Sequence, residues 1–112
     1  MKRGDIWWAD LGEPLGSGPG YRHPAIVIST DAFNESRIST VVVVLITSNL
    51  RLAAAPGNIR LGAREAGLSK ESVVNVSQVL TLDKGRLLER IGHVPGDRMA
   101  EVEEGLRRVM GL

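Results

Sequence analysis

VVVVLITSN, residues 41–49, opens with six apolar residues, most of them β-branched, and no polar residue interrupts them. A strand with one wet face alternates apolar and polar residues, so an unbroken run of this length predicts a strand covered on both faces. It is far too short to cross a bilayer. Such a strand needs partners, and the flanking sequence supplies them. Residues 6–11 hold Trp7 and Trp8, and residues 25–30 hold Ile26, Val27 and Ile28. Further short strands are expected at 58–61, 73–77 and 91–94, punctuated by Pro56-Gly57, by the polar stretch around Ala66-Gly67 and by Asp83-Lys84-Gly85. Strands this short and this frequent predict a small, mainly β barrel of mostly antiparallel strands. Gly16, Gly18, Pro19 and Gly20 make a long hairpin loop between the first two strands. They are not a phosphate-binding P-loop, because no Lys-Ser or Lys-Thr follows at the required spacing.

Two helices are expected. A brief one over 83–90 would open on Asp83 as a cap, with Leu87 and Leu88 facing inward. After the turn Pro95-Gly96 the period changes: Met99, Val102, Leu106, Val109 and Met110 recur on one face, while Glu101, Glu103, Glu104, Arg107 and Arg108 take the other. Acids early and arginines late agree with the helix dipole. This C-terminal amphipathic helix is expected to pack on the barrel.

With 112 residues, 43% of them apolar, the chain reads as one domain spanning 1–112, neither disordered nor divided by a linker. There is no cysteine and there are only two histidines, His23 and His93, so no disulfide framework and no zinc cluster is expected, and no cofactor is implied. Met1-Lys2-Arg3 looks like the start of a signal peptide, but Asp5 and Asp10 interrupt any apolar region behind it. The expected setting is the cytoplasm, away from membranes. The overall charge of +1 is no signature of nucleic-acid binding, but its distribution is uneven. Between Pro14 and Arg64 five arginines face only Asp31 and Glu35, which puts +3 in this half and leaves −2 for the rest. Arginine's planar fork suits phosphate oxygens, so the bias points to a phosphate-bearing partner.

The stretches KRGDIWWADL, GSGPGYRHPAIVIS, VVVVLITSN and SVVNVSQVLTLDKGRL, followed by the amphipathic helix, together resemble the MazF/PemK family of toxin endoribonucleases over nearly the whole chain. The resemblance implies an SH3-like barrel with a C-terminal helix, a homodimer, and metal-independent cleavage of single-stranded RNA at short sequences. It also implies a cognate antitoxin whose acidic, flexible segment occupies the RNA site. In the family an arginine directly before the proline of the second strand and a threonine ending the next strand are credited with catalysis. Thr47 matches the second. The first position holds His23, with Arg22 one residue earlier, so the guanidinium is either displaced by one place or replaced.

These residue types can do the chemistry. RNA is cut without metal when its 2′-hydroxyl attacks the adjacent phosphorus, which requires a base, a donor for the phosphorane charge and an acid for the leaving oxygen. His23 can move protons, since free histidine titrates near pH ~6.5. Arg22 is a fixed cation for the phosphorane, and Thr47 and Ser48 offer hydroxyl donors. Tyr21, Ser48, Arg51 and Gln78 are candidate RNA contacts, Gln78 because the polar end of its strand reads bases in the family. One obstacle is alternation: neighbours on a regular strand point to opposite faces, so Arg22 and His23 share a site only where the pleat is broken. By the same rule Trp7 and Trp8 face opposite ways, one into the core and the other free to stack a base or a partner. Two rival classes remain open. CcdB-like toxins use the same barrel to bind DNA gyrase and cut nothing, and an SH3-like peptide-binding module would line its groove with more aromatics than this chain has.

Overall fold

The strand expected at 41–46 runs Thr40–Thr47 (β3) in the computed structural model, which describes residues 1–13, 16 and 21–112. Val44 and Ile46 enter one apolar cluster, and Val41, Val43 and Leu45 enter a second. Alternate residues of one strand therefore serve two cores. Around it lie β1 (Asp5–Asp10), β2 (Arg22–Val27), α1 (Asp31–Glu35), β4 (Ile59–Leu61), β5 (Ser72–Asp83), β6 (Leu87–His93) and α2 (Gly96–Met110). The strands form one six-stranded sheet in the order β4-β5-β3-β2-β1-β6, every neighbouring pair antiparallel. It curls into a half-barrel, as the short, frequent strands predict.

One face of the sheet carries α2. Met99 and Val102 join Ile6, Ile26, Val44, Ile46, Leu61, Val74 and Val76 in the first cluster, with Leu106 at its margin. Each such side chain, fully buried, contributes about 1.5–3 kcal/mol, which is what holds the helix down. Val109 and Met110, expected on the same face, are exposed, because the last turn overruns the sheet before Gly111 ends the helix in a left-handed conformation. The second cluster covers the other face with Ala9, Ala25, Val27, Val41, Val43, Leu45 and Leu87, fringed by Trp7, Leu11, Leu80 and Leu82. The hairpin loop lies mostly outside the described residues, of which it contains only Gly16.

Two expectations give way. Residues 83–90 do not form a helix: Asp83 does cap, its side chain accepting from the Gly85 N–H, but what it caps is a single 3₁₀ turn at Lys84–Arg86. The chain then leaves as β6, with Leu87 buried and Leu88 exposed, the alternation of a strand. β5 is also much longer than 73–77, because three residues are looped out of its ladder: Val44 pairs with Val79, but Leu45 pairs with Asn75. Amides secure this bulge. Asn58 Oδ1 accepts the Val76 N–H at 2.9 Å, and Asn75 Nδ2 donates to Gln78 Oε1 at 3.0 Å.

The helix meets the sheet through glycine. A Cβ on buried Gly105 would sit 2.2 Å from the Gly57 carbonyl oxygen, so the α2 backbone rests directly on the turn before β4. In a free helix Gly→Ala is stabilising. Here Gly105→Ala is expected to cost about 1–3 kcal/mol, the usual penalty of overpacking, and to lower Tm in a thermal melt. A variant as stable as the parent would show that the contact relaxes.

Asp5 fastens β1 to β6. Its buried carboxylate accepts the Lys2 N–H at 2.9 Å, and lies 3.0 Å from His93 Nδ1 and 3.3 Å from Arg90 Nε. Burial alone would push its pKa up, but the hydrogen bonds from His93 and Lys2 and the Arg90 charge together hold it below the usual carboxylate value. Folding therefore favours the ionised form, and the contribution is complete above about pH 4, the unfolded value, and lost as pH falls through the lower folded one. Asp5→Asn is expected to cost about 1–3 kcal/mol at pH 7. In urea unfolding the gap between parent and variant should shrink by pH 3; a gap independent of pH would contradict this account.

Candidate functional site

The ladder between β2 and β3 stops early. Ala25, Ile26 and Val27 pair with Leu45, Val44 and Val43, and beyond them β2 pairs only with β1 while Ile46 and Thr47 pair only with β5. Pro24 stands at the point of divergence, with no N–H to continue the ladder. The two strands splay, and a cleft of about 320 Å³ opens between them. Its walls include Trp8, Arg22, His23, Pro24, Ile46, Thr47 and Ser48, together with Leu68, Ser69, Lys70 and Ser72 from the far side.

The splay removes the obstacle of alternation. Continued past Ala25, the register would set Pro24 opposite Ile46 and His23 opposite Thr47, so His23 and Thr47 lie on one face of their strands and Arg22 on the other. The ladder between β2 and β3 is absent at these residues, and all three line the cleft. The Arg22 guanidinium lies over the Trp8 ring, 5.2 Å from its centroid. Its cross-strand neighbour Asp10 is engaged elsewhere, accepting the Gly12 N–H at 2.9 Å and lying 3.8 Å from Arg86. Among the described residues Arg22 has no carboxylate partner, so its N–H groups are available to a ligand. Thr47 Oγ1 accepts the Asn49 N–H at 3.1 Å, which orients the hydroxyl and leaves its own hydrogen free to donate. Trp7 goes the other way, to the fringe of the second cluster.

The cleft thus collects four residues singled out in the sequence: Arg22, His23, Thr47 and Ser48. It does not include the other three. Tyr21 is exposed beside it with a positive φ of 59°, Arg51 is exposed on the 3₁₀ turn Leu50–Ala54, and Gln78 belongs to the β5 bulge. Lys70, Ser69 and Ser72 were not foreseen. Ser69 and Lys70 arrive on the connection between β4 and β5, which carries no periodic pattern to mark which way its side chains face, and Ser72 is the first residue of β5.

No Asp or Glu lines the cleft, while Arg22 and Lys70 give it two cations and Thr47, Ser48, Ser69 and Ser72 give it hydroxyls. Among the described residues, no cluster of three or more histidines and carboxylates is arranged to hold a metal ion, and no helix is long and apolar enough to cross a membrane. Fold and cleft define a small curled-sheet protein with a cleft lined by cations and hydroxyls. The chain belongs to the PemK-like, MazF-like toxins of type II toxin–antitoxin systems, whose family model it matches over residues 2–110. It is 50% identical over 112 residues to endoribonuclease MazF6 of Mycobacterium tuberculosis, covering all of this chain and 98% of that one. Among solved structures it resembles a mycobacterial endoribonuclease in complex with its cognate antitoxin (TM-score 0.82, 26% identity, 100% and 96% of the two chains covered). It also resembles MazF from Deinococcus radiodurans (TM-score 0.83, 27% identity, 100% and 97% covered). The gyrase-binding alternative gains no support from these relatives.

Proposed function

We propose that this toxin, an endoribonuclease like its relatives, cuts single-stranded RNA in the β2–β3 cleft with Arg22, His23 and Thr47 as its catalytic residues. The observation that carries the assignment is that a guanidinium without a carboxylate partner, an imidazole and an oriented hydroxyl line one acid-free cleft. The 2′-oxygen attacks phosphorus as His23 takes its proton, and Arg22 and Thr47 donate to the non-bridging oxygens of the phosphorane. The P–O5′ bond then breaks and the leaving oxygen takes up a proton from solvent water, to which His23 releases the one it accepted. The products are a 2′,3′-cyclic phosphate and a 5′-hydroxyl. Every step uses groups on this chain, the RNA and water, so no metal is called for. In this reading Tyr21, Ser48, Arg51 and Gln78 contact the RNA.

The working form is a homodimer of single-domain chains in the cytoplasm, regulated by an antitoxin whose acidic, flexible segment enters the cleft. The cleft's uncompensated positive charge and the exposed Val109, Met110 and Leu112 at the end of α2 support these readings. The test is to incubate the protein with mixed RNA in EDTA and sequence the 5′ ends. Cuts at one short sequence with 5′-hydroxyl ends are expected; RNA left intact, or cut only when magnesium is restored, would refute the mechanism.

A further inference from the structure

Lys70 is the feature the cleavage scheme leaves unused. It lines the same cleft as Arg22, on the connection between Leu61 and Ser72, and several contacts fix that connection. Its backbone lies against β6, where a Cβ on Gly92 would meet the Ala66 carbonyl oxygen at 2.2 Å and one on Gly67 would meet that of Ile91 at 2.7 Å. Glu65 accepts the Gly62 N–H at 2.7 Å and is held by Arg98 of α2. The buried Ser72 hydroxyl donates to the Lys70 carbonyl at 3.0 Å. Its charge is also unspent. The adjacent carboxylate, Glu71, is 2.6 Å from Arg60, and among the described residues Lys70 makes no ion pair.

A phosphodiester carries one negative charge, and Arg22 is already opposed to the scissile one. A second cation lining the same cleft, with no carboxylate partner among the described residues, is available to a second phosphate. We infer that Lys70, with the Ser69 hydroxyl beside it, forms a subsite for the phosphodiester next to the scissile one, so that the cleft grips two consecutive linkages. The inference rests on the RNA-cleaving reading above. It makes Lys70 a binding residue whose contribution is the same before and during the reaction, so the loss on its removal falls on KM rather than kcat.

The experiment uses a short single-stranded RNA spanning the cleavage site mapped by 5′-end sequencing. A 2′-O-methyl group at the attacking position keeps the probe intact during binding, and two further versions carry a neutral methylphosphonate at the linkage 5′ or 3′ to the scissile one. Lys70→Met, an exposed change that leaves the core untouched, is expected to weaken binding of the all-phosphate probe about tenfold. It should also reduce the slope of log affinity against log salt by about 0.7, the value for one phosphate contact on a single strand. With one of the two methylphosphonate probes, parent and variant should bind alike. Equal binding of the all-phosphate probe by both proteins overturns the subsite, as does a Lys70→Met loss that persists undiminished on both neutralised probes, since Lys70 then acts at the scissile phosphate or none. If the parent protein cuts no RNA at all, the nuclease reading falls and the subsite with it. Cleavage without any Lys70 dependence removes the subsite alone.

Discussion

Replacing His23 by alanine is expected to slow RNA cleavage by about 10²–10⁴ and to erase an inflection in the rate between about pH 5 and 8, where histidine normally titrates. The residue stands at the mouth of the splay, where its position continues the register towards Thr47. It is partly buried, and among the described residues its ring makes no hydrogen bond that would occupy it. The substitution that separates proton transfer from charge is His23→Arg, which restores the residue usual in the family. If only positive charge matters at this place, that variant is at least as active as the parent and its profile is flat. If the imidazole moves the proton, activity falls and the inflection disappears. A parent enzyme with no inflection that also tolerates His23→Ala would make the residue a structural one at the start of β2.

Arg22→Ala should cost about 10²–10³ in rate, the loss typical of removing one donor from a developing oxyanion, with the shape of the pH profile kept. The guanidinium is fixed by stacking on Trp8 rather than by an ion pair, so its charge is held in place without being neutralised. Arg22→Lys should recover only a fraction of the loss, because an ammonium lacks the planar fork that meets two phosphate oxygens at once and stacks less well on the indole. Full recovery by lysine would mean that Arg22 serves as a point charge alone. A variant with unchanged kcat and raised KM would move Arg22 from the transition state to ground-state binding.

How far these features could be read from the sequence depended on whether the deciding contact was local. The β3 strand was legible because six consecutive apolar residues leave no wet face to assign, and α2 because its apolar residues recur at helical spacing. Arg22, His23, Thr47 and Ser48 were legible as a set. That they share a cleft was not, since it depends on where the β2–β3 ladder ends, which no residue reports by itself. Leu87-Leu88 misled for a physical reason: Asp83 is a sound cap, and the single turn behind it gives way to a strand only because β1 is there to pair with. The five-residue helix α1 has too few residues to show a period. Lys70 was invisible because its place in the cleft is set by Gly67 and Gly92 resting on each other's backbone neighbours, far apart in the chain.

Because β3 gives alternate side chains to two clusters and is hydrogen-bonded on both edges, neither core can open without stripping the same strand. The two cores therefore behave as one foldon. The amides in the middle of β3 are expected to exchange with solvent only when the whole molecule unfolds, and the β2 end that carries Arg22 and His23, paired with β1 alone, to exchange through local fraying. Thr47 is thus carried at the end of the least yielding element of the fold, and Arg22 and His23 at the end of one that can give way. A substrate entering between them closes against a fixed wall on one side and a compliant one on the other.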